Sequence, residues 1–292
     1  MSSGLHTDTY KSGFLENADH IQLFYQAWIP ETVQAAVVIV HGVGEHSGRY
    51  EEFAHFLTSH HCAVYTFDLR GYGRSGGQRG FINAFTDFTA DVTLFVTYVK
   101  KQIDPSLKLF LLGHSLGAII VVRTVHLCEK LPLDGMIISG PPFKLNLSIP
   151  AWWGRLCIFF SSLLPALTIK ERSIQLNMLT HDKEKIEAFR RDPYRHYQRS
   201  LTFIREYFKA EKAAFSDSTS LTISLLIVQG GEDDIIDVQK VKDFYHQVPA
   251  EDKMLIIYPE MYHEVLNEVD RSRVFSDIYQ WISKRITRPI SS

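Results

Sequence analysis

Residues 109–118, L-F-L-L-G-H-S-L-G-A, restrict the fold more than any other stretch of the chain. Four apolar residues run into Gly113, Ser115 stands two positions on, Gly117 follows, and an apolar run, A-I-I-V-V-R-T-V, continues from Ala118. The pattern predicts a buried strand, a sharp turn and a helix, with the serine at the turn. A side chain at Gly113 or Gly117 would collide with neighbouring backbone in so tight a turn. The residue between them is then held in a strained conformation with its hydroxyl exposed at the head of the helix. Such a serine is placed to be a nucleophile. With glycine near 7% of average usage, the bare G-x-S-x-G spacing arises by chance in roughly one chain in ten, so the flanking strand and helix patterns carry the argument.

The rest of the chain repeats that strand-to-helix rhythm. A-A-V-V-I-V, residues 35–40, is a continuous β-branched run, as a strand covered on both faces should be, and it opens into H-G-V-G-E-H-S-G-R-Y. Gly42 and Gly44 permit a loop whose N–H groups can turn toward a ligand, and Ser47 is the expected cap of the helix that follows. Further strands are expected at 63–67, 107–112 and 133–139, with a helix over 83–101 carrying Phe85, Phe88, Val92, Phe95, Val96 and Val99 on one stripe. Before them lies a polar lead, then an imperfect alternation over 20–28 that reads as an edge or outer antiparallel strand. The expected architecture is α/β: a mostly parallel central sheet with helices on both faces.

The rhythm fails between Phe143 and Ser220 and then resumes with strands at 221–228 and 253–258 and helices at 238–247 and 271–285. The division expected is an α/β core of 1–142 and 221–292 with a mainly helical lid inserted at 143–220. The first half of the insertion is strongly apolar and offers Trp152, Trp153, Leu156, Phe159, Phe160 and Leu163. One reading makes it a helix buried against the core; the other makes it the wall of a lipophilic pocket that also touches a membrane surface.

Composition excludes several classes. Hydrophobic residues make up 45%, and 31 Lys and Arg face 33 Asp and Glu for a net charge of −2, so there is no electrostatic case for a nucleic acid partner. Cys62, Cys128 and Cys157 are dispersed and odd in number, which suits neither a disulfide framework nor a metal set. The N-terminus has no apolar core like that of a signal peptide, and no apolar run is long enough for a transmembrane segment. A cytoplasmic location follows as the expectation, with peripheral membrane contact as its variant.

A serine hydroxyl needs a base at neutral pH, normally a histidine, and the histidine needs a carboxylate to fix its tautomer. Among 13 histidines, His263 is favoured because it follows a buried strand at the carboxyl edge of the sheet. Asp233 is favoured by the same rule, while Glu232, Asp234, Asp237 and Asp68 remain alternatives at strand ends. His41 reads as a buried histidine supporting loop shape, and His114 as a structural residue pointing away from the serine.

The strings G-H-S-L-G, H-G-V-G-E-H-S-G-R-Y and D-L-R-G-Y-G-R-S-G-G together resemble the monoacylglycerol lipase and lysophospholipase branch of the α/β-hydrolase superfamily, from about Gln22 to Trp281. The resemblance implies a catalytic triad of Ser115, Asp233 and His263, an oxyanion hole made by the N–H groups of Val43 and Leu116, and a mobile lid over an acyl pocket. Ala118 departs from the usual second glycine. The implied activity is hydrolysis of carboxylic esters of single-chain lipids through an acyl-enzyme, with no metal or organic cofactor. Glu45 and Arg49 are expected to pair near the mouth of the site, either favouring a hydroxyl-rich head group or forming a surface salt bridge. A peptidase, small-ester hydrolase or acyltransferase with the same triad, and a non-catalytic binding protein of the same fold, are the rival readings.

Overall fold

The computed structural model describes residues 8–128, 130–146, 156–157, 159–170 and 173–286. Its centre is an eight-stranded sheet in the order β1-β2-β4-β3-β5-β6-β9-β10. The strands are β1 Thr9–Glu16, β2 Gln22–Ile29, β3 Ala35–Val40, β4 Cys62–Phe67, β5 Lys108–His114, β6 Gly135–Ser139, β9 Leu225–Gly230 and β10 Lys253–Tyr258. β1 and β2 are antiparallel to their neighbours, and the remaining pairs are parallel. The alternating faces of a buried strand are plain in β3. Ala36, Val38 and Val40 join one apolar layer, Ala35, Val37 and Ile39 the other, and all six are fully buried.

Helices α1 Glu51–Thr58 and α7 Arg271–Ile286 cover the second of these layers through Phe53, Leu57, Val274, Phe275, Ile278 and Trp281. Helices α2 Thr86–Gln102, α3 Leu116–Leu127 and α6 Val238–Gln247 cover the first. Each fully buried Val, Leu, Ile or Phe contributes about 1.5–3 kcal/mol, so the two layers dominate the stability of the core.

Two expectations need correction. The polar lead contains β1, which forms the edge of the sheet and leaves β2 second in line. Most of β1 is exposed on both faces, so it carries no apolar period to read. Ser47 is not the cap of the first helix: it begins a short 3₁₀ turn, His46 accepts its Gly48 N–H, and the Ser47 hydroxyl accepts from Gln26 Nε2 instead. Among the described residues the stretch 143–220 adds one short sheet to its helices. Besides α4 Lys183–Arg191 and α5 Leu201–Asp217 it holds an antiparallel pair, β7 Thr168–Lys170 with β8 Gln198–Ser200. Its ends are continuous with the core: Phe143 stacks on Phe244 at 4.0 Å, and Phe203, Ala210 and Ala214 of α5 lie in the first apolar layer. Trp152 and Trp153 lie outside the described residues.

Parallel registry brings the carboxyl ends of β3, β4 and β5 level, with Val40 opposite both Phe67 and Gly113. At that edge the chain crosses itself closely. A Cβ on Gly113 would lie 2.3 Å from Gly117 O, and one on Gly117 would lie 2.2 Å from Val40 O. Gly117→Ala is therefore expected to destabilise the fold by about 1–3 kcal/mol, the cost of overpacking. Urea unfolding measures this, and an unchanged midpoint would contradict the tight crossing.

Candidate active site

The crossing fixes Ser115 at φ 51° and ψ −118°, an unusual conformation for a residue with a side chain. Its N–H donates to Ser139 O at 2.9 Å, which ties the turn to the end of β6. The hydroxyl is 3.1 Å from Nε2 of His263, and His263 Nδ1 is 2.8 Å from Oδ2 of Asp233. Asp233 also accepts from Ile235 N and Ile236 N at 2.9 and 3.1 Å and from Gln229 Nε2 at 2.9 Å. A carboxylate can only accept, so the network assigns the imidazole proton to Nδ1 and leaves Nε2 to accept from the serine.

The alternative acids are placed elsewhere. Glu232 and Asp234 are exposed. Asp237 caps α6 by accepting from Gln239 N and Lys240 N. Asp68 accepts from Ser47 N and Arg74 N, both at 2.7 Å, and shapes the two loops beside β4. His41 is fully buried; Nδ1 donates to Gly42 O at 2.7 Å and Nε2 accepts from Leu69 N at 2.9 Å, a supporting arrangement with no path to the serine. His114 does not point away: its ring sits 5.1 Å from that of His263, and both line the cavity around Ser115.

The loop after β3 is held from beneath by buried charge. Glu45 accepts from Gly42 N, from Tyr50 Oη at 3.0 Å and from Arg49 Nη1 at 2.7 Å. Arg49 also makes a two-pronged contact with Glu264 at 2.8 and 2.6 Å, and its guanidinium lies 3.9 Å over the ring of Phe189 from α4. The Glu45–Arg49 pair is thus formed, but inside the protein, with its bonding capacity taken up internally. Burial opposes ionisation of Glu45, yet Arg49 and the neighbouring histidines hold its carboxyl at about 2. Removing one member of such a buried set typically costs about 3–5 kcal/mol. Among the described residues, neither Val43 N–H nor Leu116 N–H has a hydrogen-bond acceptor, whereas Ala118 N donates to Ser115 O at 2.8 Å. The Val43 and Ser115 side chains share the cavity with Leu176, Leu179 and Phe189.

The described apolar residues expected to wall this pocket are not in it. Leu156, Phe159, Phe160 and Leu163 are 39%, 64%, 38% and 65% exposed on the outside of the molecule. The wall comes instead from 174–199, including Phe189, Arg195, His196, Tyr197 and Arg199, and from Glu264. No spacing in the sequence marks these residues, because their approach depends on how the 143–220 stretch folds back. Among the described residues no group of His, Cys, Asp and Glu side chains could hold a metal ion.

Burial disfavours a charged His263 ring, but the Asp233 carboxylate beside it outweighs this and raises its pKa above the usual 6.5. Burial likewise opposes ionisation of Asp233, and His263 overrides it so that the carboxyl titrates below the ordinary aspartate value. His263 thus stabilises the fold fully below its unfolded pKa, and this contribution is lost as pH rises through the folded value; that of Asp233 is present above its unfolded pKa and lost on acidification. The His263 imidazole is expected to titrate above 6.5 by NMR, and in Asp233→Asn, with the main opposition to burial removed, below its value in the unmutated protein. An unmoved value in that variant would contradict the pairing.

Comparison with known proteins agrees with this arrangement of elements. Residues 31–270 match the family model described as serine aminopeptidase, S33. A monoacylglycerol lipase of Mycolicibacterium smegmatis is 29% identical over 90% of this chain and 93% of its own, and a monoglyceride lipase of Homo sapiens 29% over 93% and 90%. The structure of a soluble variant of monoglyceride lipase from Saccharomyces cerevisiae, in complex with a substrate analog, superposes with a TM-score of 0.84 at 23% identity, over 97% of this chain and 98% of that one. The chain therefore belongs to the serine aminopeptidase S33 family, with the α/β-hydrolase fold.

Proposed function

We propose that the protein is a carboxylic ester hydrolase acting on single-chain lipid esters, with Ser115 as nucleophile, His263 as general base and acid, and Asp233 as the residue that orients His263. The observation that carries this reading is the Ser115–His263–Asp233 relay, at 3.1 and 2.8 Å, beside two N–H groups with no acceptor among the described residues. His263 Nε2 takes the Ser115 proton as the hydroxyl oxygen attacks the ester carbonyl. The Val43 and Leu116 N–H groups receive the oxyanion, a contribution of roughly 3–4 kcal/mol for a single donor in a comparable hole. His263 then protonates the leaving alcohol, and the same ring activates water to release the acid from the acyl-enzyme.

The relatives named monoacylglycerol and monoglyceride lipases support a lipid ester as substrate. The chain from 143 to 220 acts as a lid. The cavity over Ser115 has a volume of about 50 Å³, room for a few waters rather than a long acyl chain, so substrate enters as the 174–199 wall moves. Phe159, Leu163, Leu164 and Leu167 give the outside of this stretch an exposed apolar patch suited to the surface of a micelle or membrane. Among the described residues no helix is long and apolar enough to cross a membrane. An aminopeptidase would need a free carboxylate for the substrate ammonium, and the two carboxylates lining the cavity, Glu45 and Glu264, are both bound to Arg49.

Ser115→Ala is expected to lower hydrolysis of monoacylglycerols and of short p-nitrophenyl esters by at least about a thousandfold while the protein stays folded. It should also abolish labelling by a fluorophosphonate; labelling that survives the substitution would sink the assignment. Replacing Phe159 and Leu163 together by Ser is expected to reduce turnover of micellar substrate severalfold and to leave the rate on dispersed short esters within about twofold. Equal losses in both assays would argue against an interfacial role.

A further inference from the structure

Arg199 is 7% exposed, yet its guanidinium has no carboxylate partner among the described residues. Nη1 donates to Gln198 O at 2.7 Å, and the Phe203 ring lies 5.7 Å from the guanidinium carbon. The side chain is firmly seated. Arg199 pairs with Ile169 across β7 and β8, Ser200 N donates to Gly80 O at 2.8 Å, and the Ser200 hydroxyl caps α5 through Phe203 N. Nη2 reaches the loop after β3 so closely that a Cβ on Gly44 would lie 3.3 Å from it.

Both carboxylates on the cavity wall have a cationic partner within the protein, and Arg195 is held by two rings and a backbone oxygen. Glu45 and Glu264 are bound to Arg49, Asp233 to His263, and the Arg195 guanidinium lies between the rings of Phe189 and Tyr197 at 4.5 and 4.0 Å with Nη1 on Phe189 O. Burial, and then Arg199 itself, keep His196 neutral, down to about 4. A guanidinium taken out of water without a counter-charge is costly, and its planar fork matches the oxygens of a phosphate or carboxylate. The lining is mixed: Ile174, Leu176 and Leu179 are apolar, whereas Gly44, His196 and Arg199 cluster together as one of its polar parts.

We propose that Arg199 supplies the counter-charge for an anionic head group, so that the pocket selects single-chain glycerolipid esters bearing a phosphate over their uncharged counterparts. This deepens the ester-hydrolase reading and rests on the same cavity. The phosphate replaces the missing carboxylate partner, and the acyl chain takes the apolar lining.

The test is equilibrium binding to the Ser115→Ala protein, which holds substrate without turnover, using 1-oleoylglycerol and 1-oleoylglycerol 3-phosphate below their micellar concentrations. The phosphorylated lipid is expected to bind at least about tenfold more tightly, with a preference that shrinks as salt rises. On the same background Arg199→Gln is expected to remove most of that preference, and Arg199→Lys, which keeps charge but not the fork, to retain part of it. Thermal unfolding of each variant identifies any loss caused by misfolding, and the Ser115→Ala protein alone still answers the first question. Equal affinity for the two lipids, or an Arg199→Gln variant that weakens both by the same factor, would overturn the proposal. Because no turnover is involved, failure of the catalytic reading shows separately, as an unmutated protein inert to fluorophosphonate.

Discussion

The site depends on a contact with no room for a side chain. Gly113, Gly117 and Val40 pack backbone against backbone where β5 turns into α3, and the turn can close only if Ser115 adopts a positive φ. That strain is held by the buried rows of β3 and β5 on one side and by the fully buried start of α3 on the other. Its consequence is chemical. The Ser115 hydroxyl is presented at the carboxyl edge of the sheet, where the loops bearing His263 and Asp233 also emerge, and the first N–H of α3 is left without an acceptor among the described residues.

A second constraint ties the surrounding loops together. Arg49 joins Glu45, which holds the peptide before Val43, to Glu264, which follows His263, and it packs on Phe189 of α4. One buried cation therefore connects the loop carrying Val43, the loop carrying His263 and the wall of the cavity. Buried ionic sets of this kind are weak contributors to net stability but costly to break, which suits a device that fixes relative position. Further polar contacts link the same wall to the core at its rim: a hydrogen bond between His46 and Asp192, and ion pairs of Lys185 with Glu52 and of Arg271 with Asp182.

The sequence was legible where a residue's neighbours in space are also its neighbours in the chain. The buried strands β3 and β5, the stripe of α2 and the glycine-flanked serine all announce themselves through local period or local sterics. His263 and Asp233 were found through a rule about strand ends, and the exposure of Asp234 and Glu232 is a fact only the folded chain supplies. β1 was missed because an edge strand exposed on both faces has no hydrophobic signature. The cavity wall differs from expectation for another reason: apolar composition singles out Phe159 and Leu163, whereas the chain brings in Phe189, Arg195 and Arg199, from a stretch with no continuous apolar run to mark it. His114 is expected to point away from the serine, and the strained turn instead brings its ring beside that of His263.

The account as a whole stands on an acyl group passing through Ser115. The direct measurement is mass spectrometry of the intact protein, acid-quenched within milliseconds of mixing with an excess of a monoacylglycerol or p-nitrophenyl ester, followed by mapping of the adduct. The account predicts a mass increase equal to the carboxylic acid less water, one acyl group in place of the hydroxyl hydrogen, located on the peptide containing Ser115 and absent from Ser115→Ala. Product formation with no adduct at Ser115, or an adduct on another residue that persists in that variant, would contradict it.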